Sequence, residues 1–311
     1  FFFKQKTAYE IYQCDWSSDV CSSDLFHSEE GRSDQLRWFD YWLKGIDTGI
    51  MSEPPVKLEI RTGGSPDRYE FRTENEWPLA RTQWTKMYLK IDREPTGDAM
   101  GVEGELIAAP PSKETKVTYS ASGSTKAGVA SGSSLATTHG NVGRSGVSFT
   151  TPPLDKDIEV TGPLMMNLWV SSTSEDMDIF VSLRNIGPDG KDVNEIGQHG
   201  QPVPCVTKGW LRASHRKLDP QRSLPYRPYH AHDERLWLKE GEIVECQVEV
   251  WPTSMVFKKG HRIRVDVQPR DGVGSAPYTH YHGDYNAGAE NTLYSGPQHP
   301  SYIMLPVIPA K

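Results

Sequence analysis

The chain has 311 residues, enough for one large domain or two ordinary ones, with 34 basic against 41 acidic side chains and a formal net charge of −7. Charges of both signs are scattered with no basic stripe, which argues against nucleic acid as a partner, and no apolar run approaches the roughly 18 residues of a membrane helix. Four cysteines, Cys14, Cys21, Cys205 and Cys246, are too few and too far apart for a disulfide scaffold or paired zinc spacing.

Residues 1–25, FFFKQKTAYEIYQCDWSSDVCSSDL, show neither a helical nor a strand period, and they open on three phenylalanines. The apolar start is too short for a signal-peptide core and has no basic region before it. The string resembles a translated sequencing adapter, the kind of sequence found at the ends of proteins from shotgun assemblies. It is expected to be non-native, with the true protein extending upstream. Cys14 and Cys21 then carry no meaning.

Ser28 to Gly45 is the one strong helical stretch, with Leu36, Phe39 and Leu43 at helical spacing and Trp38 and Trp42 widening the apolar face. Ser33 is the expected N-cap and Gly45 the stop. So aromatic a helix needs a large partner surface. After a linker ending at Pro54-Pro55, the chain reads as strands and turns, and abundant Gly and Pro favour an all-β body.

Val56, Leu58 and Ile60 alternate as a first strand, and Trp84–Ile91 follows a turn at Trp77-Pro78. Residues 110–146 shift to Ser, Gly, Thr and Ala and read as a long polar loop. Strands are expected at 146–151, at 158–170 with a turn at Thr161-Gly162-Pro163, at 177–183, at 210–215 and at 302–307. The clearest pattern is Val244, Cys246, Val248 and Val250 alternating with Glu245, Gln247 and Glu249. A turn after Trp251-Pro252 and a second, antiparallel alternation at Ile263, Val265 and Val267 follow it. Two such half-buried strands need a second sheet to cover them.

The runs TPPLDKDIEVTGPLMMNLWVSSTSEDMDIFVSLRNIGPDG, GWLRASHRKLD and LKEGEIVECQVEVWPTSMVFKKGHRIRVDV follow one another in an order that resembles the C-terminal β-sandwich of the CocE/NonD hydrolases. That module is also called the Xaa-Pro dipeptidyl-peptidase C-terminal domain, and the likeness runs from about Val56 to Pro309. DQLRWFDYWLKGID resembles the segment joining the family's catalytic α/β-hydrolase domain to this sandwich. The resemblance implies an all-β, galactose-binding-like jelly roll at 52–311, preceded by a linker helix at 26–51. It also implies a parent serine hydrolase acting on small esters, amides or proline peptides, without a cofactor. The partner would be the missing hydrolase domain, and a homo-oligomer is compatible with the likeness.

The nucleophile elbow of that family has no counterpart here. Gly143-Arg-Ser145-Gly146 and Gly132-Ser-Ser134 lack its glycine spacing and its strand-turn-helix setting. His27 lies near the place of the family's catalytic histidine, but alignment of the helix lead-in reads that histidine as overwritten by the adapter-like string. No catalytic residue is therefore assigned.

His280, His282 and Asp284 would share one face of an extended segment, as ligands of Zn²⁺ or Fe²⁺ would. The plainer reading is a loop packing at the domain junction, so no metal is assigned. In that loop Tyr281, His282, Tyr285 and Asn286 are the candidates for a wall of the substrate pocket. His230-Ala231-His232-Asp233 reads as a solvated loop, and His215 and His261, flanking strands, resemble family positions that are structural. Asp176 and Asp178 read as the wet face of a strand. The competing class is a carbohydrate-binding jelly roll using an exposed Trp among Trp169, Trp210, Trp237 and Trp251, where packing is the more frequent use.

Overall fold

A computed structural model describes residues 29–63, 69–91, 102–121, 146–196, 202–203, 205–269 and 288–310. Among the described residues one α-helix, α1 (Glu29–Lys44), precedes the strands β1 (Val56–Arg61), β2 (Tyr69–Glu74), β3 (Gln83–Lys90), β4 (Val102–Ile107), β5 (Thr115–Ser120), β6 (Val147–Thr150), β7 (Ile158–Ser172) and β8 (Asp178–Ile186). The rest are β9 (Glu195–Ile196), β10 (Pro202–Val203), β11 (Cys205–Arg212), β12 (Val244–Phe257), β13 (Arg262–Gln268), β14 (Glu290–Ser295) and β15 (Tyr302–Ile308).

Thirteen of these strands form one sheet in the order β2-β1-β12-β11-β8-β13-β6-β4-β3-β15-β7-β14-β5, and a further β12–β7 pairing closes it into a barrel-like sandwich. β7 and β12 pair antiparallel from Val244↔Val170 to Phe257↔Ile158. Their inward residues (Leu164, Met166 and Leu168 against Cys246, Val248 and Val250) are buried, as are the facing Val181, Leu183 and Val265 of β8 and β13. A smaller core of Val56, Leu58, Ile60, Leu79 and Ile308 seats β1.

The structure corrects several local expectations. Trp251-Pro252 is not a turn: β12 runs through it, and two residues there oppose Pro163 alone, between the pairs Val250↔Leu164 and Thr253↔Gly162. This is a β-bulge. It moves the buried phase from even positions (Val248, Val250) to odd ones (Thr253, Met255, Phe257), and it accepts a proline that the ladder would not. Thr161-Gly162-Pro163 is not a turn either, but the middle of β7. Gly162 has φ 146, and a Cβ there would come within 2.8 Å of Pro306, so glycine serves a close approach.

β12 and β13 do not pair with each other. Lys258 and Lys259, bonded to Asp157, turn the chain across to the other layer, where β13 lies between β6 and β8. β5 occupies part of the expected polar loop, with Val117 and Tyr119 buried. Ser33 lies inside α1 and does not cap it. Gly45, at φ 70, ends the helix as expected, with its N–H on the Tyr41 carbonyl.

Outward faces of the second layer carry ions. Asp266 is fully buried and accepts from Ser148 Oγ at 2.6 Å, Arg264 Nε at 2.8 Å and Arg184 Nη1 at 2.8 Å, joining β6, β13 and β8. Arg184 also holds Asp192, and these carboxylates keep its guanidinium above the ordinary arginine range against the cost of burial.

A Cβ at Gly209 would sit 2.1 Å from the Glu249 carbonyl oxygen, at the point where β11 meets β12. Gly209→Ala is therefore expected to cost about 1–3 kcal/mol, read as a lower urea midpoint at unchanged slope. An unchanged midpoint would mean that these strands part freely. Burial pushes the Cys246 thiol up to about 12. Alkylation at pH 8 followed by peptide mapping is expected to leave Cys246 unmodified in the native chain and modified in urea.

Candidate functional site

The residues singled out from the sequence as pocket wall or metal ligands, His280, Tyr281, His282, Asp284, Tyr285 and Asn286, lie outside the described residues, as do His27, Ser134 and Ser145. The described strands show where the connecting segments attach. Val147 at the start of β6 pairs with Val267 near the end of β13 and with Val102 at the start of β4. Glu290 at the start of β14 pairs with Ser120 at the end of β5. The strands flanking residues 122–145 and 270–287 thus break off at one end of the sandwich. Ser172 of β7, paired with Asn291, and Asp178 of β8, paired with Arg212, mark the same end.

The long excursion from β11 to β12 begins there in a short 3-10 turn, Ala213–His215. Asp176, expected on a wet face, is buried and accepts from Met177 N (2.9 Å), Ser214 N (2.9 Å) and Ser214 Oγ (2.7 Å). Asp178 is buried too and holds Arg212 Nε at 2.9 Å. Asp176 lies just before β8 and Asp178 opens it, and the excursion covers both: Leu238 N donates to the Glu175 carbonyl and Ala213 N to that of Met177. Farther along, Tyr226 stacks on Trp84 of β3 with ring centroids 4.2 Å apart and planes at 3°.

Among the described residues, imidazoles occupy three places. His215 and His232 meet through their Nδ1 atoms at 3.0 Å, with His230 beside them. Burial lowers the His230 pKa, its bond to the Gln247 backbone opposes this, and its two neighbours push it down further. His261 Nδ1 sits 3.0 Å from Asn185 Oδ1. His299 Nδ1 is 2.6 Å from Glu114 Oε1, with its ring against Trp169 and Tyr294.

Glu114–His299 is an acid–imidazole pair, but among the described residues no hydroxyl is hydrogen-bonded to an imidazole, so the described part assembles no Ser-His-acid relay. Nor is any group of three His, Cys, Asp or Glu among them placed to hold a metal ion. The tryptophans are largely engaged in contacts, Trp251 with Trp210 and Trp169 with His299, though Trp210 and Trp237 each remain 43% exposed. The His215–His232 and Glu114–His299 pairs join residues 17 and 185 positions apart, and no local pattern announced either.

Asp176→Ala leaves the Ser214 donors unpaired at a buried point. The substitution is expected to cost about 1–3 kcal/mol and to expose residues 216–243 to limited proteolysis, whereas unchanged cleavage would show that the excursion is held elsewhere.

The family model for the X-Pro dipeptidyl-peptidase C-terminal non-catalytic domain matches residues 48–304. A Mycobacterium bovis protein named as a serine esterase is 30% identical over 286 residues, covering 88% of this chain and 40% of its own length. Cocaine esterase of a Rhodococcus species is 25% identical over 303 residues, covering 90% of this chain and 46% of its own. A CocE/NonD family hydrolase from Staphylococcus aureus matches in structure with a TM-score of 0.73 at 25% identity, over 92% of this chain and 47% of that one. The chain spans less than half the length of each of these relatives. It belongs to the X-Pro dipeptidyl-peptidase C-terminal non-catalytic domain family, the β-sandwich that CocE/NonD hydrolases carry.

Proposed function

We propose that this sandwich works against an α/β-hydrolase domain lying upstream of α1 in a serine hydrolase, stabilising that domain and walling its substrate pocket. One observation carries the reading. Leu36, Phe39, Trp42, Leu43 and Ile46 of the α1 segment are 48–76% exposed, while within α1 only Gly31 and Trp38 are buried. A stripe of this size is the signature of a surface meant to be covered.

The helix is tied to the sandwich through polar contacts instead. Lys57 of β1 bonds Glu30 and lies 3.5 Å from Asp34, while Arg37 bonds Glu53 and donates to the Thr48 carbonyl. The apolar stripe is left for the partner domain. In this reading residues 26–51 are the linker and 52–311 the sandwich, with Tyr281, His282, Tyr285 and Asn286 facing the substrate. The substrate class, taken from the relatives, is a small ester, amide or proline peptide. The carbohydrate alternative gains no support from the tryptophan contacts.

The test is a chimera joining this chain from Glu29 onward to the hydrolase domain of the Staphylococcus aureus relative. Trp42→Glu with Leu43→Glu is expected to lower its kcat/KM on the order of tenfold, about 1.4 kcal/mol, and to lower its melting temperature. Tyr281→Ala with Tyr285→Ala is expected to reorder its preference among esters, amides and proline peptides. Equal activity and stability in the Glu variants would remove the docking role, and an unchanged order of substrates would remove the wall.

A further inference from the structure

The excursion between β11 and β12 brings together two imidazoles that belong to no relay described above. Nδ1 of His215 and Nδ1 of His232 are 3.0 Å apart, with ring centroids at 5.2 Å and planes at 48°. The ring of His230 lies 5.9 Å from that of His232, and its Nε2 is buried without a hydrogen-bond partner.

Two neutral imidazoles at this distance share one proton as a hydrogen bond. Two ring nitrogens 3.0 Å apart are also within the bite of a chelate. With metal–nitrogen bonds of about 2.0–2.1 Å, nitrogens about 3 Å apart subtend about 94° at the metal, whereas a tetrahedral pair would need about 3.4 Å. A near right angle is the edge of a square-planar or octahedral sphere, the arrangement of Cu(II) and Ni(II) with nitrogen ligands.

We propose that His215 and His232 chelate one divalent transition ion of this kind through Nδ1, each ring in its Nε2–H tautomer. Water fills the remaining positions, and His230 is the neighbouring imidazole. The donors are presented by anchored backbone. Ser214 is bound through its N–H and hydroxyl to buried Asp176, and Ala231 N donates to the Lys217 carbonyl at 3.0 Å. Lys217 is itself paired with Asp233 at 3.0 Å and Glu234 at 2.5 Å, so its charge is compensated beside the pair. A bound ion would tie the far side of the excursion back to the turn that opens it, at the end of the sandwich where residues 270–287 attach.

The experiment is titration of the full chain, free of any histidine tag, with Cu(II), Ni(II) and Zn(II), read by calorimetry and by pulsed electron paramagnetic resonance of the copper form. The expected result is one Cu(II) per chain with two coupled imidazoles and Ni(II) bound more tightly than Zn(II). His215→Ala or His232→Ala should each weaken copper on the order of tenfold or more, and His280→Ala with His282→Ala should leave it unchanged. Absence of stoichiometric copper, fewer than two imidazoles in the unmodified chain, or loss of binding only in the His280/His282 variant would overturn the proposal. The imidazole count in the unmodified chain decides the matter even where a variant folds poorly.

Discussion

The antiparallel ladder between β7 and β12 is the constraint on which the rest of the structure depends. It is the pairing that closes the sheet on itself, and it runs nearly the full length of both strands. β12 buries one face only, so a slip by one residue would turn Cys246, Val248 and Val250 outward together, and in β7, buried on both faces, it would exchange Leu164, Met166 and Leu168 with Met165 and Asn167. The bulge at Trp251-Pro252 lets one strand serve two neighbours on its other side. β11 is met at Gly209↔Val250 before the bulge and β1 at Arg61↔Met255 after it. The extra residue keeps the buried face buried while the strand bends from one neighbour to the next.

The outward faces are organised by polar contacts that do different work from the core. Asp266, with Ser148, Arg184 and Arg264, joins three strands through charge-assisted bonds, and its burial makes each partner matter, since a lone carboxylate there would be costly. Asp176 plays a similar part at the end of the sandwich, where it seats the turn that opens the excursion to β12. Hydrophobic burial sets the two layers together. The buried carboxylates then specify how β8, β13 and the excursion sit upon them.

A division of labour follows for the module. The strands form the body of the module, the exposed apolar stripe lies on α1, and the segments 122–145 and 270–287 attach at one end of the sandwich. Loops borne on a rigid scaffold are where binding residues concentrate, because the strands hold the ends while side chains vary. The salt links of Lys57 to Glu30 and of Arg37 to Glu53 orient the helix without covering its apolar stripe.

Strands with strong alternation were legible in the residues alone: Val56–Ile60, Val244–Val250, Ile263–Val267 and Tyr302–Val307 lie in strands, as does Trp84–Ile91 but for its last residue, and the order of motifs pointed to the family. The helix and its Gly45 stop were legible for the same reason, since apolar periodicity and a left-handed stop are local properties. Strands β2, β4 and β14 were not, because their polar, short segments become strands only when a neighbour supplies the ladder. Periodicity reports which face of a strand is buried but not which strand lies beside it. For that reason the separation of β12 from β13 into different layers, the reading of Trp251-Pro252 as a bulge, the burial of Asp176 and Asp178 and the meeting of His215 with His232 were decided only by tertiary structure.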